Sequence, residues 1–324
     1  MFLPSRRLFA TAVACAGLLA ALPVAQAQDW PAKPIKLIVP YAAGGPTDSI
    51  ARLLATRMAS TLGQPVVVDN RAGAGGTIGV DATVKATDGH TFALVAPGPL
   101  AGMPNLMKAP YAPDDIQYLT LVARIPSVLV VNAKAGINTL EDLVAKAKAQ
   151  PGKLSYSSAG AGTTPHIGME IFKDQAKVSL LHIPYKGAAP AVTALLAGEV
   201  DATMVDLLPV LPHVNSGTLK VVAVAGATRA PQLPNVPTTK EKGLPGVLME
   251  TTYGFIATKT LPAAAAAKLR DAAVAAVNSP EMKQQFLQQG AIAVTSTSAE
   301  YQRLMREESD KWKNIIGKAK ITLD

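Results

Sequence analysis

Apolar residues in this chain recur at two spacings, and the spacing changes at short loops rich in glycine, alanine and proline. Ile35-Lys36-Leu37-Ile38-Val39 is a nearly continuous apolar run and reads as a strand buried on at least one face. It breaks at Pro40 and the small-residue loop Ala42-Ala43-Gly44-Gly45-Pro46. From about Thr47 the period lengthens, and Ile50, Leu53, Leu54 and Met58 fall on one face of a helix. Thr47 or Asp48 can cap its first turn. Residues 65–68 read as the next strand, followed by the loop Arg71-Ala72-Gly73-Ala74-Gly75-Gly76 and another helix, and residues 90–96 as a third strand. The alternation resumes with strands at 128–131, 154–158, 180–185, 200–205 and 219–225. Helices are expected at 139–150, from Pro165 and at 188–197. The tail reads as helical, from Pro262, from Pro280 and over 299–318.

This β-loop-α rhythm argues for an α/β fold with parallel or mixed sheet covered on both faces. Two such blocks in 324 residues fit two domains. Val128-Leu129-Val130-Val131 and Val221-Val222-Ala223-Val224 are continuous apolar runs, candidates for strands that cross between the blocks. That arrangement would leave the helical tail on the first domain. With 49% hydrophobic and 17% charged residues the chain is too apolar for a disordered protein. Six Phe, seven Tyr and two Trp make a poor stacking platform, and no nucleic-acid partner is expected.

The first residues change the charge arithmetic. A short head with Arg6 and Arg7, an apolar run over 8–24 and Ala25-Gln26-Ala27 are the parts of an export signal cleaved after Ala27. Thr11, Gly17 and Pro23 make the run a marginal membrane span. Cleavage would lower the formal charge from +8 to +6 and leave 297 residues. Ser5-Arg6-Arg7-Leu8-Phe9 also resembles a twin-arginine signal, with an ordinary basic head as the alternative. The single cysteine, Cys15, lies inside this segment, so disulfides, thiol catalysis and cysteine metal sites drop out of the mature chain.

Three small-residue loops each follow a strand and precede a helix: residues 41–47, 73–77 and 157–164. In open α/β sheets ligands bind at the carboxyl ends of strands. Helix N-termini there offer unpaired N–H groups and partial positive charge to anions. The hydroxyls of Ser157, Ser158, Thr163 and Thr164 add donors beyond the needs of a turn. Together they suggest a site for a small anion, the alternative for each loop being an ordinary tight turn. Gly73-Ala74-Gly75-Gly76-Thr77-Ile78-Gly79 has the outline of a dinucleotide fingerprint with one residue too many, and Ala93 stands where an acidic residue is needed. His166 and Glu170 are four apart on a helix, but no third ligand has metal-site spacing. A loop-bracing role for His166 is the competing reading. Asp206 ends an apolar strand, where its carboxylate can meet a ligand or cap the next helix; Asp48 is placed similarly.

The loops resemble those of the Bug-type solute-binding proteins, periplasmic receptors of tripartite tricarboxylate transporters. The likeness runs through nearly all of the mature chain. It rests on Pro40-Tyr41-Ala42-Ala43-Gly44-Gly45-Pro46-Thr47-Asp48, on Asp69-Asn70-Arg71-Ala72-Gly73-Ala74-Gly75-Gly76, and on Tyr156-Ser157-Ser158-Ala159-Gly160-Ala161-Gly162-Thr163-Thr164-Pro165-His166. Ile183-Pro184-Tyr185-Lys186-Gly187 and Leu233-Pro234-Asn235-Val236-Pro237-Thr238 continue it. The resemblance implies a two-lobed clamshell of the type II kind, with two mixed sheets flanked by helices. It divides the mature chain into 28–130 plus 227–324 and 131–226. It also implies a ligand carboxylate held between Tyr41, Ala42, Ala43, Gly44, Thr47, Asp48 and Ala74 on one side and Ser157, Ser158, Ala159, Gly162, Thr163, Thr164 and His166 on the other, with Asp206 at the far end of the ligand.

Two departures bear on the substrate. Pro97-Gly98-Pro99-Leu100-Ala101-Gly102 replaces a polar, histidine-containing loop common in the family, and Thr252-Tyr253-Gly254-Phe255 replaces an aromatic pair led by Trp. Fewer polar groups lean toward a monocarboxylate or aromatic acid over citrate. The reading is therefore a periplasmic, monomeric receptor without cofactor, metal or catalysis, which delivers a small carboxylate to membrane components of a tripartite tricarboxylate-type transporter. The rivals are an exported nucleotide-dependent oxidoreductase and a ligand-sensing subunit for a membrane signalling partner.

Overall fold

The computed structural model describes residues 30–323; the expected export signal and Cys15 lie outside them. The first block consists of β1 (Ile35–Val39), α1 (Pro46–Leu62), β2 (Val66–Asn70), α2 (Thr77–Val84) and β3 (Thr91–Val95). β1 pairs in parallel with β2 and with β3, as crossover helices require. Next comes β4 (Ile116–Asn132), 17 residues long. The second block holds α3 (Leu140–Ala149), β5 (Ser155–Ser158), α4 (Thr164–Ala176), β6 (Leu181–Pro184), α5 (Ala188–Ala197), β7 (Ala202–Asp206), α6 (Leu207–Asn215) and β8 (Leu219–Val224). β9 (Glu250–Thr258), α7 (Ala263–Asn278), α8 (Pro280–Gln288), β10 (Ile292–Ala293) and α9 (Ser298–Ala319) complete the chain.

Two mixed sheets share one strand. The strand order runs β2-β1-β3-β9-β4-β7-β5-β6, with β8 and β10 also on β4. The first part of β4 pairs with β9 as far as Pro126 opposite Glu250, and the second part pairs with β7 from Ser127 opposite Asp206. Proline has no N–H for a ladder, and Pro126 sits where β4 changes partners. The sequence reading found only residues 128–131 of this strand, because Arg124 and Pro126 interrupt its apolar run.

The second expected crossing strand stays within one sheet. Within the sheet β8 pairs with residues 128–132 of β4, and its end is bridged to Thr238. The chain returns instead through residues 225–249. This segment is tied at the junction by Ala225 N–H to Ser127 O at 2.8 Å, Met249 N–H to Ala225 O at 2.7 Å and Ser127 N–H to Met249 O at 3.0 Å. The short β10 was not foreseen, nor were two longer elements. α6 contains Pro212 in its interior, and β9 carries Gly254 mid-strand; both residues weaken the local signal for their element. Gly254 is needed because the Tyr301 ring lies where its Cβ would be.

The tail helices divide. α7 and α8 contribute Leu269, Ala273, Val277, Met282 and Phe286 to the core that also holds β1, β3 and α1 residues. α9 lies across both sheets: Tyr301 and Met305 pack with Ile38, Val80 and Ile256, whereas Trp312 and Ile316 pack with Leu129, Ile167 and Met204. Among the described residues no helix is long and apolar enough to cross a membrane.

Candidate functional site

The loops after β1 and β5 face each other across a small, largely apolar cavity. Gly45, Pro46 and Thr47 line it from the start of α1, and Thr163, Thr164 and Pro165 line it from the start of α4. Neither helix has a side chain capping its first turn, and each carries proline there. Two uncapped N-termini, with their orphan N–H groups and partial positive charge, thus converge on one space from opposite sides. Tyr41 and Ala159 add further wall, and Ala96, Ala188 and Val205 supply apolar surface.

Two of the lining residues carry buried hydroxyls without a partner. Tyr41 OH and Thr164 Oγ1 are buried and have no hydrogen-bond partner within the protein, although the residues are only 7% and 2% exposed. Such groups cost about 1–3 kcal/mol each unless something reaches them. Burial pushes the Tyr41 phenol far above its usual range, with Tyr111 and Asp206 adding to it, so the group is a neutral donor.

Asp206 closes the far end. It is 3% exposed and accepts hydrogen bonds from Thr251 Oγ1 at 2.6 Å and from Tyr253 OH. Burial pushes its carboxyl up to about 6, against the pull of the Thr251, Tyr253 and Ser127 hydroxyls. Thr251 and Tyr253 alternate along β9 and so present one face to it. The sequence held that alternation, but only the pairing of β9 beside the end of β7 makes it part of this cavity.

Of the residues singled out from the sequence, Tyr41, Thr47, Ala159, Thr163, Thr164 and Asp206 line the cavity. Others stand behind it. Asp48 accepts from Gly44 N–H, Arg52 Nε and Asn70 Nδ2, each at 3.0 Å. Burial pushes this carboxyl up, but Arg52, the Gly44 N–H and Asn70 together hold it below its usual range. Asp48 is therefore a brace for the residue 42–45 turn. Ala42 N–H donates to Lys186 O at 3.0 Å, tying that turn to the opposite side. Ala43 and Gly44 lie exposed on the same turn.

The serine hydroxyls also point away. Ser157 Oγ donates to Ala191 O at 3.1 Å. Ser158 Oγ accepts from Gly160 N–H at 3.1 Å and lies 2.6 Å from His182 Nε2. His166 is 3% exposed, and its Nδ1 accepts the Gly162 N–H at 3.1 Å. Ala74 lines a second, more open pocket beside the first, which shares Tyr41 and Ala159 as walls.

Of the glycines after β2, Gly75 serves close packing between the two sides. A Cβ on Gly75 would meet Ala161 O and Met103 Sδ at 2.7 Å. The nucleotide outline of this loop therefore answers to backbone contact across the cleft. Ala96, Pro165, Ala188, Val205, Thr251 and Tyr253 also line the first cavity without having been offered as ligand contacts, and Gly45 and Pro46 lie within the 41–47 loop that was offered as a whole. For Pro165 the signal was present, since it adjoins a residue that was named.

Two sheets, joined at one strand and enclosing a cavity with uncapped helix starts, define a two-lobed solute-binding protein. The model of the tripartite tricarboxylate transporter family receptor, TctC, matches residues 50–321, and the chain belongs to that family. It is 37% identical over 308 residues to protein BugT of Bordetella pertussis, covering 94% of each chain. Among solved structures, an adipate-bound protein of R. palustris superposes with a TM-score of 0.87 at 31% identity, over 91% of this chain and 99% of that one. Malate-bound MatC of Rhodopseudomonas palustris superposes with 0.84 at 29% identity, over 89% of this chain and all of that one. A ligand-free TctC solute-binding protein from Polaromonas, at 30% identity and 89% and 99% coverage, superposes with only 0.64.

Proposed function

We propose that this protein is an exported receptor that closes on a small organic acid and delivers it to the membrane components of a tripartite tricarboxylate-type transporter, making and breaking no covalent bond. The carrying observation is the convergence of two uncapped helix N-termini on a cavity with two unpartnered buried hydroxyls. A carboxylate satisfies all of these at once: its two oxygens accept from first-turn N–H groups of α1 and α4 and from Tyr41 OH and Thr164 Oγ1. Neutral donors suit capture and release, because they hold an anion without leaving a buried counter-charge behind.

Residues 28–130 with 227–324 form one lobe in this reading and 131–226 the other, and the acid contacts both only when they are shut. A ligand that binds the shut form shifts the population toward it. The better superposition on the malate- and adipate-bound relatives than on the ligand-free one, at similar identity, supports reading the present arrangement as shut. Export with cleavage after Ala27 belongs to the same reading.

The test is a thermal-shift screen of residues 28–324 against malate, adipate, benzoate and other small carboxylates, with neutral analogues as controls. An acid at a hundred times its Kd should stabilise the protein by about 2.7 kcal/mol. Stabilisation by the neutral analogues alone would remove the carboxylate assignment.

A further inference from the structure

Directly behind the residue 158–163 turn lies a built cluster that never touches the cavity. The His166 and His182 rings stack with centroids 4.0 Å apart and planes 10° from parallel, and Tyr156 stacks on His182 at 4.9 Å. Both rings hold the turn: His166 Nδ1 at Gly162 N–H, 3.1 Å away, and His182 Nε2 at Ser158 Oγ, 2.6 Å away.

The hydrogen inventory fixes the tautomer of His166. An amide N–H can only donate, so His166 Nδ1 offers a bare lone pair and carries its proton on Nε2. Ser158 Oγ accepts from Gly160 N–H and lies 3.2 Å from Gly160 O, a pure acceptor. That carbonyl already accepts from Thr163 Oγ1 at 2.6 Å, so the Ser158 hydroxyl is free to donate to His182 Nε2 or to accept from it.

We propose that His166 is a positioning residue for the bound acid: its neutral, Nε2-protonated ring holds the Gly162 N–H, and with it the turn that presents Ala159, Thr163 and the open start of α4 to the cavity. This rests on the reading that the turn touches the acid. A proton added at Nδ1 sets two donors against each other at Gly162, and turn and acid are then released together. The ionisable groups facing the pair are Tyr156 on β5 and Glu170 and Lys173 on α4 itself. Tyr156 OH donates to Glu170 Oε1 at 2.6 Å, and Lys173 Nζ pairs with the same oxygen at 2.6 Å. α9 and β7, packed against the same helix, bring Trp312 and Met204. Burial first, then Lys173, holds the His166 ring down at about 4. Burial first, then His166, holds His182 at about 3.

Two variants separate positioning from bulk. His166→Asn places an oxygen acceptor where Nδ1 was, whereas His166→Phe keeps the ring's volume and stack without an acceptor. Titration calorimetry with adipate and malate, hydrogen exchange at the Gly162 amide and 15N NMR of the imidazoles provide the readouts. The proposal expects a bare Nδ1 in the wild type. It expects at least tenfold weaker binding and lost Gly162 protection in His166→Phe, with both kept within threefold in His166→Asn. Phe binding within twofold of wild type, or an Asn variant as impaired as Phe, overturns it. If the wild type binds no carboxylate, the receptor reading fails on its own account. A protonated Nδ1, or equal Gly162 exchange in all three proteins, then still refutes the role given to His166.

Discussion

Asp206 shows how far burial moves a single carboxyl. No basic side chain is among its hydrogen-bond partners, and its folded-state value rises from the ordinary 3.8 to about 6. The folded protein therefore binds this proton more tightly than the unfolded chain does. The stability it contributes is complete below about 3.8 and is lost as pH rises through about 6. Asp206→Asn mimics the protonated form and escapes that loss. Its melting temperature should gain on the wild type between pH 5 and pH 8, by a difference of about 1.4 kcal/mol in stability; a gap independent of pH would show the carboxyl unperturbed. At this scale the sequence was informative about which residues are polar and only partly about where they point. Ser157 and Ser158 looked like donors to a ligand. Their hydroxyls go instead to Ala191 O and to the Gly160–His182 pair, because partners from α5 and β6, some 24 to 34 residues along the chain, lie closer.

Among the elements, the turns that meet across the cleft are built without side chains. A Cβ on Gly102 would overlap Gly162 O and press on the Trp312 ring at 3.1 Å. Gly102 has an ordinary helical backbone with φ −87°, so alanine there is strained by its neighbours alone. Gly102→Ala should wedge the two sides apart, weakening acid binding about tenfold or more while the separate cores persist. Calorimetry with the best acid from the screen checks the first, and near-native far-ultraviolet circular dichroism checks the second. Unchanged affinity would mean that the contact is not needed for closure. The strands and helices themselves were largely legible: β1, α5 and the capped start of α3, where Thr139 and Asp142 exchange hydrogen bonds with each other's backbone, fall where the apolar period places them. What escaped were the elements whose period is broken by a residue with a tertiary purpose, as Gly254 makes room for Tyr301 and Pro126 marks the change of sheet.

For the whole molecule the decisive property is that two sheets share β4 and are otherwise joined at residues 225–226 and 249–250. Few strands cross this junction, which suits a hinge, while α9 lies over both sheets. Addition of the bound acid should lower the radius of gyration in small-angle scattering of a sample whose ligand has been removed by unfolding and refolding. Identical curves with and without acid would mean that capture needs no closure.

The sequence by itself determined the alternation of strands and helices, the small-residue loops at the strand ends and the family likeness, because period and loop composition are local properties of the chain. Only the tertiary structure decided which loops share a cavity, which hydroxyls are left unpartnered there and which histidine holds a turn from behind. Those depend on residues far apart in sequence being brought within about 3 Å of one another, and a hydrogen bond has no signature until both of its ends are in place.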